Sequence, residues 1–228
     1  MPEFKEYADK LGLTFKNLDI FVEALTHRSY LNENRGAGNH NERLEFLGDA
    51  VLELAVTHFL FNRFPSKPEG DLTAYRAALV NTYSLADVAE RIGLNDLLLL
   101  SKGEKKDTGR ARLIILANAF EALLGAIYLD QGYEAAEAFV AKHLYPKIDN
   151  VIATGSYQDA KSHFQEIAQD KKSTTPTYKT LSEVGPDHDK HFTVGVYLGD
   201  EKVAEGTGKS KQEAEQSAAT AALATGKF

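Results

Sequence analysis

Three carboxylates, Glu42, Glu45 and Asp49, recur at i, i+3 and i+7 within the stretch from His40 to Glu53. At about 100° per residue they project from nearly one side of a helix. Leu44, Leu47, Val51 and Leu54 form an apolar stripe beside them. A surface helix usually intersperses lysine or arginine among its acids, and here the sequence neighbours leave the repulsion largely unanswered. A bound divalent cation would answer it; a solvated acidic face is the plainer alternative. Asn118 and Glu121, spaced i, i+3, share a face of the apolar run from Leu113 to Leu129. Polarity there is costly without a partner, although a structural hydrogen bond would account for a single such residue. Oxygen ligands from two helices suit Mg²⁺ or Mn²⁺ and not zinc. The expectation is that oxygens from the two helices converge on one point.

Positioning those groups requires a core. The chain has 228 residues, 43% of them hydrophobic, with 12 Phe and 10 Tyr. That is enough for one large or two modest domains and excludes a disordered chain. With no cysteine there are no disulfides or thiolate metal sites, which fits a reducing, cytoplasmic setting. The charged start, Met1 to Glu6, lacks the apolar segment of a secretory signal. Asn118 and Glu121 interrupt the 113–129 run, so it reads as a buried core helix and no membrane partner is expected. A net charge of −7 argues against indiscriminate polyanion binding. Nucleic-acid contact would need a local basic patch.

Apolar periodicity predicts helices over 3–11, 18–26, 41–61, from 69 through Val80, and over 84–91, 113–129 and 134–145. Residues 32–39 and 101–110 read as loops. After Lys147 the helical period fades, and 149–157, with Thr154-Gly155-Ser156, reads as a linker. The remainder alternates differently: a helix over 160–169, strands near 177–184, 192–198 and 202–206, and an alanine-rich helix over 209–224. The expectation is a multi-domain chain, an all-α domain over 3–148 followed by a small α+β domain of order α-β-β-β-α over 158–228.

Asn41-Glu42-Arg43-Leu44-Glu45-Phe46-Leu47-Gly48-Asp49-Ala50 resembles the signature of bacterial ribonuclease III. The segment from Ile115 to Gly125 resembles that family's second acidic motif. Phe164-Gln165-Glu166, Gly185-Pro186-Asp187-His188 and Gly206-Thr207-Gly208-Lys209-Ser210-Lys211 look like its double-stranded-RNA-binding domain. The resemblance covers nearly the whole chain. It implies an endoribonuclease that hydrolyses both strands of double-stranded RNA, leaving 5′-phosphate and 3′-hydroxyl ends, and acts in rRNA and mRNA processing. Mg²⁺, with Mn²⁺ as a substitute, is the implied cofactor; no small-molecule cofactor is implied. Glu45, Asp49, Asn118 and Glu121 are the implied metal ligands, Asp49 and Glu121 the catalytic pair, and Glu42 and Glu69 supporting acids.

Asn118 stands where the family pattern has Asp. An amide oxygen can ligate a hard cation, but the cluster loses one negative charge. A variant that still cleaves, a binding-only dimer and a deliberate change that traps uncut RNA all remain open at this point. The family is homodimeric, and the resemblance places Phe46 in a partner's pocket; a core role is the alternative for a phenylalanine.

In the tail, Gln165 and Glu166 suit the 2′-hydroxyls of A-form RNA, which proteins read mainly by shape. The resemblance makes His188 a second minor-groove contact and Lys209 and Lys211 phosphate contacts at a helix start. Gln212 stands where the family usually has another lysine. Nine lysines face eleven acids over 157–228, so composition alone does not announce an RNA binder.

Overall fold

Two 22-residue helices carry the architecture of the first unit, and the shorter helices pack around them. The computed structural model describes residues 2–155, 157, 159–186 and 190–226, and the chain divides into units Met1–Tyr157 and Gln158–Phe228. The first unit contains α1 (Pro2–Leu11), α2 (Leu18–Ala24), α3 (Arg28–Glu33), α4 (Glu42–Arg63), α5 (Glu69–Leu79), α6 (Thr82–Arg91), α7 (Arg110–Gln131), α8 (Tyr133–His143) and α9 (Lys147–Thr154). Short 3₁₀ turns occupy Leu94–Asp96 and Glu104–Lys106.

Helix α7 is apolar on nearly every side because neighbours cover it. Phe120, Leu123, Leu124 and Ile127 are fully buried, alongside Leu52 and Val56 of α4 and Leu85 of α6. Burying each such side chain contributes about 1.5–3 kcal/mol. Length and composition alone would let α7 cross a membrane; in the fold it is the core helix.

The start of α4 is pinned from outside. Asn41 is buried, its N–H donates to the Thr26 carbonyl (2.9 Å) and its Nδ2 to the Ala24 carbonyl (3.3 Å). Residues 25–27 are tied in turn to Leu99 by two backbone bonds, His27 N–H to Leu99 O and Leu99 N–H to Leu25 O. At the far end of α7, the Asp130 carboxylate accepts from the backbone N–H groups of Lys16 and Asn17, both at 2.9 Å. Asn17 caps α2 through the Asp19 N–H. These ties fix where each long helix begins or ends, and therefore the height at which the two cross.

Two segments differ from expectation. Residues 28–33, left without a predicted element, form α3, whose cap is the His27 side chain accepting from Ser29 N–H. The linker expected over 149–157 is mostly helix: Ile148 and Val151 of α9 are buried, and Tyr157 packs edge-on against Tyr75 at 4.5 Å between centroids. The i, i+3 pair Ile148 and Val151 buries one helical face, which outweighs the turn-forming Gly155 at its end.

The second unit contains α10 (Ala160–Lys172), β1 (Thr177–Val184), β2 (His191–Leu198), β3 (Glu201–Gly208) and α11 (Lys211–Thr225). The strands form an antiparallel sheet in the order β1-β2-β3. Its core joins Phe164 and Ala168 of α10, Val196 and Leu198 of β2, and Ala218, Ala219 and Ala222 of α11. Alanines let α11 approach closely: a Cβ on Gly206 of β3 would overlap the helix backbone at Ala218.

Candidate functional site

The acidic residues meet because α4 and α7 touch backbone to backbone. A methyl group on Gly48 would overlap the Glu121 carbonyl, and one on Gly125 would overlap the Leu44 carbonyl. Only glycine permits this approach. Glu45 and Asp49 flank Gly48 in sequence, and Glu121 lies one turn before Gly125. The crossing therefore gathers the two acidic motifs, and the electrostatics records it. The Glu121 carboxyl is pushed up from 4.5 to about 7, by burial first and then by the charges of Asp49, Glu45 and Glu53. Glu45 is raised by burial and by the charges of Glu42 and Asp49, offset by a hydrogen bond from the Asn118 amide. Neighbouring carboxylates resist ionising together.

The four expected ligand residues share this crossing, but they do not form a closed cage. Among the described residues, no three acidic or imidazole side chains stand close enough to hold a metal ion as they lie. The expected convergence on one point is corrected to that extent. The donor chemistry nonetheless fits a hard cation: three carboxylates and an amide oxygen, with no lysine or arginine ion-paired to Glu45, Asp49 or Glu121 among the described residues.

The flanking acids are paired. Arg28 Nη1 of α3 reaches Glu42 Oε1 at 3.4 Å, and Arg76 Nε of α5 reaches Glu53 Oε2 at 3.0 Å. Glu53 and Arg76 were missed from sequence. Glu53 continues the acidic face at i+4 from Asp49, a signal that could have found it. Glu69, expected among the supporting acids, sits at the first turn of α5 and accepts from Thr73 Oγ1 at 2.9 Å. It lines a groove of about 420 Å³ with Thr57, Phe61 and Arg76, and is not among the charges that raise Glu45 or Glu121. The fold does not bring Glu69 into the acidic crossing.

Phe46 is 83% exposed, so the core alternative does not hold. It lines a groove of about 650 Å³ with Ile20, Leu47 and Leu129. Leu54 and Phe61, also exposed, lie within about 80° of it around α4.

A basic segment went unrecognised in the 101–110 loop. Arg112 ties this loop into shape by donating to the carbonyls of Glu104, Lys105 and Asp107. Lys102, Lys105, Lys106 and Arg110 are left exposed. The loop docks on α3, where Ser101 N–H donates to Ser29 Oγ (3.1 Å) and Lys102 N–H to the Glu33 carboxylate.

In the second unit, Gln165 and Glu166 are exposed on α10. His188 lies outside the described residues. Ser210 caps α11 by accepting from Glu213 N–H (3.1 Å), while the Glu213 carboxylate accepts from the N–H of Lys209, one residue before the cap (2.8 Å). Lys209 thus lies just before the helix and Lys211 opens it. Lys211 Nζ pairs with Glu183 Oε1 of β1 at 2.9 Å and lies over the Phe192 ring.

Residues 17–148 match the family model described as ribonuclease-III-like, and residues 160–225 match the double-stranded RNA binding motif. The chain is 47% identical over 224 residues to ribonuclease 3 of Geobacillus kaustophilus, covering 98% of this chain and 91% of that protein. It is 45% identical over 218 residues to ribonuclease 3 of Staphylococcus epidermidis, covering 95% and 89%. The solved nuclease domain of ribonuclease III from Campylobacter jejuni superposes with a TM-score of 0.57 at 39% identity, covering 63% of this chain and 99% of that one. The binding-only alternative raised by Asn118 gains no support from these relatives, which carry the enzyme's name. Helical nuclease unit, acidic crossing and RNA-binding unit together make this chain a member of the ribonuclease III family, a double-stranded-RNA endoribonuclease.

Proposed function

We propose that Glu45, Asp49 and Glu121, with the Asn118 amide oxygen, hold Mg²⁺, or Mn²⁺ in its place, at the α4–α7 crossing. The observation that carries this reading is the backbone contact of Gly48 with Glu121 and of Gly125 with Leu44, which brings the two acidic motifs together without an arginine or lysine paired to Glu45, Asp49 or Glu121 among the described residues. When bound, the ion supplies hydroxide near neutral pH and neutralises charge on the departing 3′-oxygen. Glu121 must give up its proton to act as a ligand. Asp49, exposed at the same crossing, orients the attacking water as well as holding the ion. Asn118 offers its oxygen only if its amide turns away from Glu45. Glu42, and Glu69 from its separate groove on α5, take supporting places nearer the RNA.

Double-stranded RNA is gripped by the second unit through Gln165, Glu166, His188, Lys209 and Lys211. The exposed cations of the 101–110 loop offer the nuclease unit its local basic patch. Two copies act together, Phe46 of each entering the groove beside Leu47 and Leu129 of the other. Exposure of Phe46 next to an apolar groove supports this, and the Campylobacter jejuni structure is described as having a region involved in dimer formation. Two sites related by a two-fold axis account for cutting on both strands. The test is Glu121→Ala: cutting of a perfect duplex is lost while retention of the duplex persists. Loss of retention would contradict this division of labour.

A further inference from the structure

The acidic face of α4 carries four carboxylates in sequence, Glu42, Glu45, Asp49 and Glu53, and they are not treated alike. The outer two each meet an arginine from another helix: Glu42 meets Arg28 of α3, and Glu53 meets Arg76 of α5. The inner two have no such partner among the described residues. The Arg76 contact is the better built. Its Nε bonds Glu53 at 3.0 Å while its Nη1 donates to Thr57 Oγ1 at 2.9 Å, so the guanidinium is held across one turn of α4. Both members of the pair are roughly two-thirds buried (35% and 39% exposed). Glu53 lies one turn past Asp49 on the same face of α4.

We infer that Arg76 is a positioning residue, with Arg28 in a weaker equivalent role, that holds a flanking carboxylate away from the cation site and offsets part of its charge. Glu45, Asp49 and Glu121 are thereby left as the carboxylates that face the ion. Without the arginine, Glu53 would add an uncompensated negative charge one turn from the ligands and be free to swing toward them. Without Glu53, Arg76 would present an uncompensated positive charge at the same place. The inference rests on the proposed cation site.

The test is Mn²⁺ binding to the full-length protein without RNA, followed by the electron paramagnetic resonance signal of free Mn²⁺. Arg76→Gln tightens binding, and Glu53→Gln weakens it, each by roughly three- to tenfold for one unit charge near a divalent ion. The double variant, with the charges balanced again, returns to within about twofold of the unaltered protein, as does Arg76→Lys. A merely structural role in holding α5 on α4 would send both single variants in the same direction and leave the double variant no better. That result, or no change in either single variant, overturns the inference. Should Arg76→Gln fail to fold, as judged by its melting curve, Glu53→Gln and Arg76→Lys decide alone: weakening in the first with none in the second is required. If the unaltered protein takes up no Mn²⁺, the cation-site reading falls and this inference falls with it.

Discussion

Gly48 of α4 rests directly against the backbone carbonyl of Glu121 on α7, with no room between them for a side chain. This contact sets how near the two acidic motifs come. Gly48→Ala must push the helices apart, because backbone cannot yield as a flexible side chain would. A loss of about 1–3 kcal/mol or more is expected from overpacking. Thermal melts should show a lowered midpoint, with cutting reduced further than stability alone explains. A variant that melts and cuts like the unaltered protein would place the crossing elsewhere.

Glu121 carries a pH signature. Its carboxyl titrates near 7 in the fold against an ordinary 4.5. The folded chain therefore holds a proton that the unfolded chain has released between those values, and metal-free stability falls as pH rises through that window. Glu121→Gln removes this dependence. Denaturant melts in a chelator at pH 5 and pH 7.5 would show it. An equal pH dependence in both proteins would contradict the assigned shift.

Asn118→Asp restores a negative charge beside Glu45. Metal should bind more tightly and half-maximal cutting should need less Mg²⁺. The added repulsion should also lift the Glu121 carboxyl further. Titrating the cutting rate against Mg²⁺ in both proteins checks the first effect; a higher requirement in the Asp variant would show that the amide is the better ligand here.

Phe46→Glu leaves the fold of the unit intact, since the ring is exposed, and is expected to give monomers in sedimentation velocity. Persistent dimers would move the interface off this face of α4.

Much of this was legible because the long helices bury wide faces, so α4 and α7 declare themselves by period, and two polar residues in an apolar run stand out at Asn118 and Glu121. The alternation of Val194, Val196 and Leu198, buried as expected, exposed β2 in the same way. The arginine pairings were not legible. Arg76 and Glu53 lie 23 positions apart, and Lys211 and Glu183 lie 28 apart, so helical spacing carries no trace of either contact. Helix α3 escaped because it buries no residue fully and leaves no apolar stripe. Glu69 was grouped with the other acids by resemblance, but α5 carries it to a groove beside Thr57 and Phe61.

The most direct measurement is anomalous diffraction from crystals of the protein soaked in Mn²⁺. A peak should appear at the α4–α7 crossing, with carboxylate oxygens of Glu45, Asp49 and Glu121 drawn in to about 2.1 Å from it. A peak at any other place, or those three side chains still apart with no ion between them, would contradict the assignment.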